Sequence, residues 1–236
     1  MKLLLTSNGL SNNLITKAFN ELIGKDPKDS KVAFIPTAAN PERGNKDWLI
    51  DDLYRIKNCG YYVDIIELTA IRPDELKIAL KDMDAIFVGG GNTFYLSYWM
   101  QKSGLFDMLP DLLKTKVYAG ISAGSMIAGA SLLPSDALDD LQKFKDDHYY
   151  EKAVQGEASN KTLNLVDIVF RPHFNSKDFP KVRKEVLEQI AYKFSYPLYA
   201  LDDESALKIV DDWIEIVSEG KWLVLNNDTA EKHTDK

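Results

Sequence analysis

The stretch Lys116-Val117-Tyr118-Ala119-Gly120-Ile121-Ser122-Ala123-Gly124-Ser125-Met126 constrains the fold more than any other part of the chain. An apolar, β-rich run meets Gly-x-Ser-x-Gly and passes without a spacer into small residues, Ala123 to Ala130, suited to a helix. A strand that becomes a helix within a residue or two needs glycines on either side, where neighbouring backbone must pass close to a strained residue. Such a junction projects Ser122 from the carboxyl edge of a sheet. The N–H groups of the following first helical turn point at the same spot and suit a developing oxyanion. The alternative is a tight structural turn that contains a serine, so chemistry can be assigned only if the chain also supplies a base and an acid.

The order of elements around this junction defines the architecture. Lys2 to Thr6 reads as a strand, followed by a helix from about Asn12 to Ile23 with Ser11 as N-cap and Gly24 as its stop. Lys31 to Pro36 and an amphipathic helix from Lys46 to Asn58 repeat the unit, and Tyr61 to Leu68, Pro73 to Lys81 and Asp84 to Val88 continue it. Helices near Thr93 to Gln101 and Leu109 to Lys114 lead into the strand that carries the junction. Short apolar strands alternating with helices imply a mostly parallel sheet buried on both faces, with ligands gathering at the carboxyl ends of its strands. After an acidic excursion, Leu132 to Asn160, the pattern predicts a strand over Thr162 to Phe170, a helix over Pro180 to Tyr192 and a strand over Leu198 to Leu201. Three closing runs, Ala206 to Val210, Trp213 to Ser218 and Trp222 to Leu225, are separated by two-residue breaks and predict consecutive β-hairpins. With no repeat and no linker, the expectation is one α/β domain over residues 1–236, with 226–236 a frayed tail.

Composition narrows what such a domain binds. A net charge of −7 disfavours nucleic acid and anionic membrane surfaces, while leaving room for a small ligand met by one local arginine. The single cysteine, Cys59, excludes an internal disulfide and points to the cytoplasm. The apolar start of the chain is too short for a signal peptide, and no run reaches the length of a membrane span. Three histidines, His148, His173 and His233, form no metal-ligand spacing, so neither a metal nor a cofactor is expected.

A serine hydroxyl needs a base. Of the three histidines, His173 follows an apolar strand and is aimed by the rigid Pro172, so it reaches the sheet edge more readily than His148 on the excursion or His233 in the tail. The imidazole in turn needs an acidic partner, and Asp202, Asp203 and Glu204 follow the next strand. Glu204 has the reach and is preferred, with Asp203 as substitute. Gly89-Gly90-Gly91-Asn92-Thr93 fits neither a dinucleotide fingerprint, because Phe94 stands at the third glycine position, nor a phosphate loop. Three glycines at a strand end let backbone N–H groups approach a ligand, and one of them paired with the Ala123 N–H would complete an oxyanion hole. An anion nest is the competing reading.

Val-Gly-Gly-Gly-Asn-Thr-Phe at 88–94, Gly-Ile-Ser-Ala-Gly at 120–124 and Pro-His-Phe at 172–174 together resemble the peptidase E (aspartyl dipeptidase) family of serine peptidases, relatives of cyanophycinase. The resemblance covers nearly the whole chain. It implies a three-layer α/β/α sandwich like that of class I glutamine amidotransferases, a triad of Ser122, His173 and Glu204, and oxyanion donors at Gly91 and Ala123. It also implies hydrolysis of short peptides, dipeptides with an N-terminal aspartate among them; the sequence leaves the choice between monomer and homodimer open. This chain departs from the family's Gly-Trp-Ser-Ala-Gly-Ala at Ile121 and Ser125. It also has Arg171 for the asparagine of Asn-Pro-His-Phe, and Asp202-Asp203-Glu204-Ser205 for Leu-Pro-Glu-Gly. Arg171 is a candidate substrate-binding residue, able to meet an acidic side chain or to pair with the acidic excursion. Two other readings stay open: a non-catalytic binding domain that keeps the junction as scaffold, and an amidotransferase-like enzyme using Cys59, which lies far from the junction in sequence.

Overall fold

In a computed structural model, which describes residues 1–133 and 157–226, the parallel strands form the first of two sheets. Its elements in chain order are β1 (Lys2–Thr6), α1 (Asn13–Ile23), β2 (Lys31–Ile35), α2 (Asp47–Asn58), β3 (Tyr62–Ile65), α3 (Pro73–Lys81) and β4 (Ala85–Val88). They continue with α4 (Thr93–Lys102), α5 (Leu105–Leu112), β5 (Val117–Ile121) and α6 (Ala123–Met126). The second part holds β6 (Val169–Arg171), a helix α7 (Lys184–Ala191), β7 (Leu198–Leu201), β8 (Ser205–Val210), β9 (Trp213–Ser218) and β10 (Trp222–Leu225). The large sheet has the order β3-β2-β4-β5-β1-β8-β9, in which β1 to β5 run parallel and β8 and β9 are antiparallel additions.

Alternation along each strand sorts its side chains into two cores, as a sheet covered on both faces requires. Leu3, Leu5, Ala33, Ile35, Ile86, Val88 and Tyr118 pack with residues of α3, α4 and α5. Leu4, Val32, Phe34, Ala85, Phe87 and Ala119 pack with Ile15, Phe19 and Leu22 of α1 and Ile56 of α2. This is the expected three-layer α/β/α arrangement with a mostly parallel central sheet. Helix ends follow local chemistry: α1 stops at Gly24, whose φ of 72° is the left-handed cap expected there, but its N-cap is Asn12, which accepts from the Ile15 N–H, and not Ser11.

Two expectations for the second part change. The predicted strand over 162–170 shrinks to Val169–Arg171. The residues before it spend their backbone donors on the turn after α6, with the Leu163 N–H donating to the Ile127 carbonyl and the Leu165 N–H to Ala128. Of the two expected hairpins only β8–β9 forms; β10 leaves the large sheet and pairs antiparallel with β7, which also pairs parallel with β6. This small sheet, β10-β7-β6, packs its own core of Val169, Leu198, Ala200, Leu187, Ile190 and Phe194 against α7. The acidic excursion, with His148, lies mostly outside the described residues, as do His233 and almost all of the tail.

Candidate active site

The junction after β5 is as sharp as its sequence requires. Ser122 has φ 48° and ψ −106°, a backbone region that costs a non-glycine residue on the order of 1–3 kcal/mol and persists only where its surroundings hold it. Those surroundings can be named. The Ser122 N–H and the Ser125 hydroxyl both donate to the Thr6 carbonyl, at 3.0 and 2.8 Å, and the buried Tyr118 hydroxyl donates to the Gly124 carbonyl at 2.6 Å. Ser125, one of the departures from the family pattern, is thus a buried hydroxyl that ties the junction to β1. Neither flanking glycine can be replaced without displacement: a Cβ on Gly124 would lie 2.2 Å from the Val88 carbonyl oxygen, and one on Gly120 would lie 2.6 Å from Gly124 backbone.

Two neighbouring strand ends complete the surroundings of Ser122. After β4 the glycine run comes alongside, and a Cβ on Gly90 would be 3.4 Å from the Ser122 Cβ. Gly91 has φ 127° and sits so close to the loop after β2 that a Cβ would lie 2.2 Å from the Ala38 carbonyl oxygen, which is why only glycine fits. Ala123 is the first residue of α6, so its N–H has no acceptor within the helix. The Ser122 N–H is committed to the Thr6 carbonyl, so of the two elbow N–H groups only that of Ala123 is left for a ligand.

His173 arrives from the small sheet, two residues beyond β6. Its Nε2 is 3.0 Å from the Ser122 Oγ, and its Nδ1 is 2.7 Å from the Asp203 Oδ1. The ring stacks on Phe179 at 4.2 Å between centroids and 8° between planes, so one face is closed by an aromatic wall. The backbone at His173 has φ 62°, and its N–H donates to the Ser7 Oγ at 2.7 Å. Ser7 is fully buried and donates its own hydroxyl to Asp203 at 2.9 Å.

The acid on His173 is therefore Asp203 and not Glu204. In the turn from β7 to β8 the three carboxylates diverge. Asp202 accepts from the Glu204 N–H at 3.1 Å, the Ser205 hydroxyl at 2.6 Å and the Lys221 N–H, which caps the turn. Asp203 faces His173, and Glu204 points the other way, to the Asn12 amide at 3.1 Å. The longer reach that favoured Glu204 does not help a side chain that leaves the backbone on the wrong side. Had the family's Leu-Pro-Glu-Gly been laid on the chain from Leu201, its glutamate would have fallen on Asp203. Burial by itself would raise the Asp203 carboxyl, but the His173 hydrogen bond and charge, the Ser7 hydroxyl and the Arg55 guanidinium outweigh it and hold the group below its ordinary value.

Arg171 lies in β6 opposite Ala200 of β7 and is only 8% exposed. Sequence reasoning missed Ser7, Phe179 and a carboxylate of α2, Asp52. Asp52 is 4% exposed, its Oδ1 is 3.9 Å from an Arg55 nitrogen, and burial pushes its carboxyl up to about 7 against the pull of Arg55. Arg55 also donates to the Asn8 carbonyl at 3.0 Å, next to Ser7. The one signal for Ser7 was a polar residue at the carboxyl end of β1, and it gains meaning only once β1 is known to lie beside β5. Cys59 caps α2 at its far end, donating to the Arg55 carbonyl, with no part in this cluster. Among the described residues no group of three or more His, Cys, Asp or Glu is placed to hold a metal ion, and no helix is long and apolar enough to cross a membrane.

The model of peptidase family S51 matches residues 3–217 of this chain. A curated relative, an uncharacterized peptidase of Listeria innocua, is 24% identical over 217 residues, which span 86% of this chain and 94% of that one. A peptidase E of Streptomyces coelicolor is 26% identical over 222 residues, spanning 90% and 82%. A crystal structure from Listeria monocytogenes, of a protein with a provisional peptidase E name, superposes with a TM-score of 0.72 over 93% of this chain and 98% of that one; at 23% identity it speaks for the fold. With a family match along nearly its whole described length, and the fold to go with it, the chain belongs to peptidase family S51 and is a peptidase.

Proposed function

We propose that the chain is a cytoplasmic serine peptidase that cleaves short peptides through an acyl-enzyme, with Ser122 as nucleophile, His173 as general base and Asp203 as the group that orients His173. The observation that carries this reading is the continuous chain Ser122 Oγ, His173 Nε2, His173 Nδ1, Asp203, at 3.0 and 2.7 Å, anchored on a strained elbow. Ser122 attacks the scissile carbonyl as its proton passes to Nε2. The oxyanion that forms is met by the N–H groups of Ala123 and Gly91, and such a donor is typically worth about a hundred- to a thousandfold in rate. His173 then protonates the departing amine, and water, deprotonated by the same nitrogen, releases the acyl group. The net charge of −7 supports a peptide over a nucleic acid as partner.

Selectivity for an N-terminal aspartate is the finer part of the proposal, with Arg171 as the cation that would meet it. The burial of Arg171 to 8%, together with its engagement within the chain, favours a second reading as well, a related peptidase with a different first-residue preference. A panel of dipeptides differing in the first residue separates the two. In the same assay Ser122→Ala is expected to lose at least about a thousandfold in kcat/KM with unchanged circular dichroism. Undiminished hydrolysis by that variant would remove the mechanism.

A further inference from the structure

We propose that Ser7 is a positioning residue of this site, whose hydroxyl sets the direction of the hydrogen-bond chain that activates Ser122. The inference rests on the reading of Ser122 as nucleophile. Ser7 is the first residue after β1, is fully buried, and stands between two groups that arrive from the small sheet. Its Oγ is 2.7 Å from the His173 backbone nitrogen and 2.9 Å from the Asp203 Oδ1.

A backbone N–H can only donate, so the Ser7 oxygen accepts there and its own proton is left for Asp203. The Asp203 Oδ1 thus receives the Ser7 hydroxyl and also lies 2.7 Å from the His173 Nδ1. A carboxyl held below its ordinary value is an ionised, acceptor-only group, so the proton of this contact is on Nδ1. Nε2 is then bare, with its lone pair directed at the Ser122 Oγ 3.0 Å away, as a general base requires. The same hydroxyl holds the His173 amide while that residue sits at φ 62°, where a side chain larger than glycine is held only by its surroundings. One buried serine on the large sheet therefore fixes the tautomer and the backbone of a histidine delivered by the other.

The test is the rate at which a serine-directed fluorophosphonate labels the protein, followed by intact mass across the pH range around neutrality. Ser7→Ala is expected to slow labelling about ten- to a hundredfold, the worth of a hydrogen bond to a charged group. Its acid limb should move to higher pH, because Asp203 without the Ser7 donor keeps more negative charge to stabilise the imidazolium. Ser7→Thr, which keeps the hydroxyl, should recover most of the rate. In an Asp203→Asn background, Ser7→Ala should add a smaller loss than it causes in the wild type, since only its hold on the His173 amide is then left to lose. Ser7→Cys, similar in size with a weak donor, gives the same reading if the alanine variant does not fold. Labelling of Ser7→Ala at the wild-type rate with an unmoved acid limb overturns the proposal, as does an undiminished loss in the Asp203→Asn background. Failure of the wild-type protein to label at all would instead remove Ser122 as nucleophile, and this inference with it.

Discussion

Asp203 and Glu204 are adjacent acids in one turn, yet only the first approaches His173, and this single step of register carries the largest consequence at the scale of residues. Asp203→Asn would leave the geometry nearly intact while offering Nδ1 a group that can donate as well as accept, so the wrong tautomer becomes available. The expected loss is on the order of a thousand- to ten-thousandfold in kcat/KM. Glu204→Gln, at an exposed side chain whose partner is the Asn12 amide, should stay within about twofold, as surface changes usually do. Assaying both variants on one cleavable peptide decides between the acids, and the reverse ranking would restore Glu204. That Ser122 and His173 come together was legible because each follows an apolar strand, one at a turn that glycines make possible. Which carboxylate meets the imidazole was not, because three consecutive acids in a turn give no sign of which faces inward.

At the scale of elements, α2 shows how an inward polar residue hides in a well-read helix. Its amphipathic span was expected from Lys46 to Asn58 and is found at Asp47–Asn58, but the face it buries carries Asp52 as well as Ile56. Asp52 is raised from 3.8 to about 7 because burial outweighs the attraction of Arg55. The sign follows from linkage: a carboxyl harder to ionise in the folded than in the unfolded chain costs stability progressively as pH rises from its unfolded value to about 7. Asp52→Asn is therefore expected to stabilise the protein at about pH 8, by an amount bounded at roughly 4 kcal/mol, and to change little at about pH 4. Urea melts at the two pH values check this, and an equal shift at both would contradict it. Hydrophobic alternation likewise identified β10 as a strand but not its partner. A period of two reports which side chains share a face, whereas the choice between β9 and β7 is made by tertiary packing.

For the whole molecule the essential fact is a division of labour between two sheets. The large, mostly parallel sheet supplies Ser122, the glycine run and Ser7 from the ends of β5, β4 and β1, which are neighbours only because the strand order places β5 between β4 and β1. The small sheet supplies His173 from the end of β6 and Asp203 from the end of β7, which pair in parallel and so finish at the same edge. Sequence pattern foretold a sheet covered on both faces and the strand ends at which Ser122 and the glycine run lie. It did not foretell that His173 and Asp203 belong to a separate sheet with its own core, because strand order and sheet membership are properties of contacts distant along the chain. The account requires that these two sheets meet at one hydroxyl. The most direct measurement is peptide mapping of the fluorophosphonate adduct in the wild-type protein and in His173→Ala. The account predicts a single adduct on Ser122 in the wild type and labelling slowed at least about a thousandfold when the imidazole is removed. An adduct on any other residue, or labelling of Ser122 at an unchanged rate without His173, would contradict it.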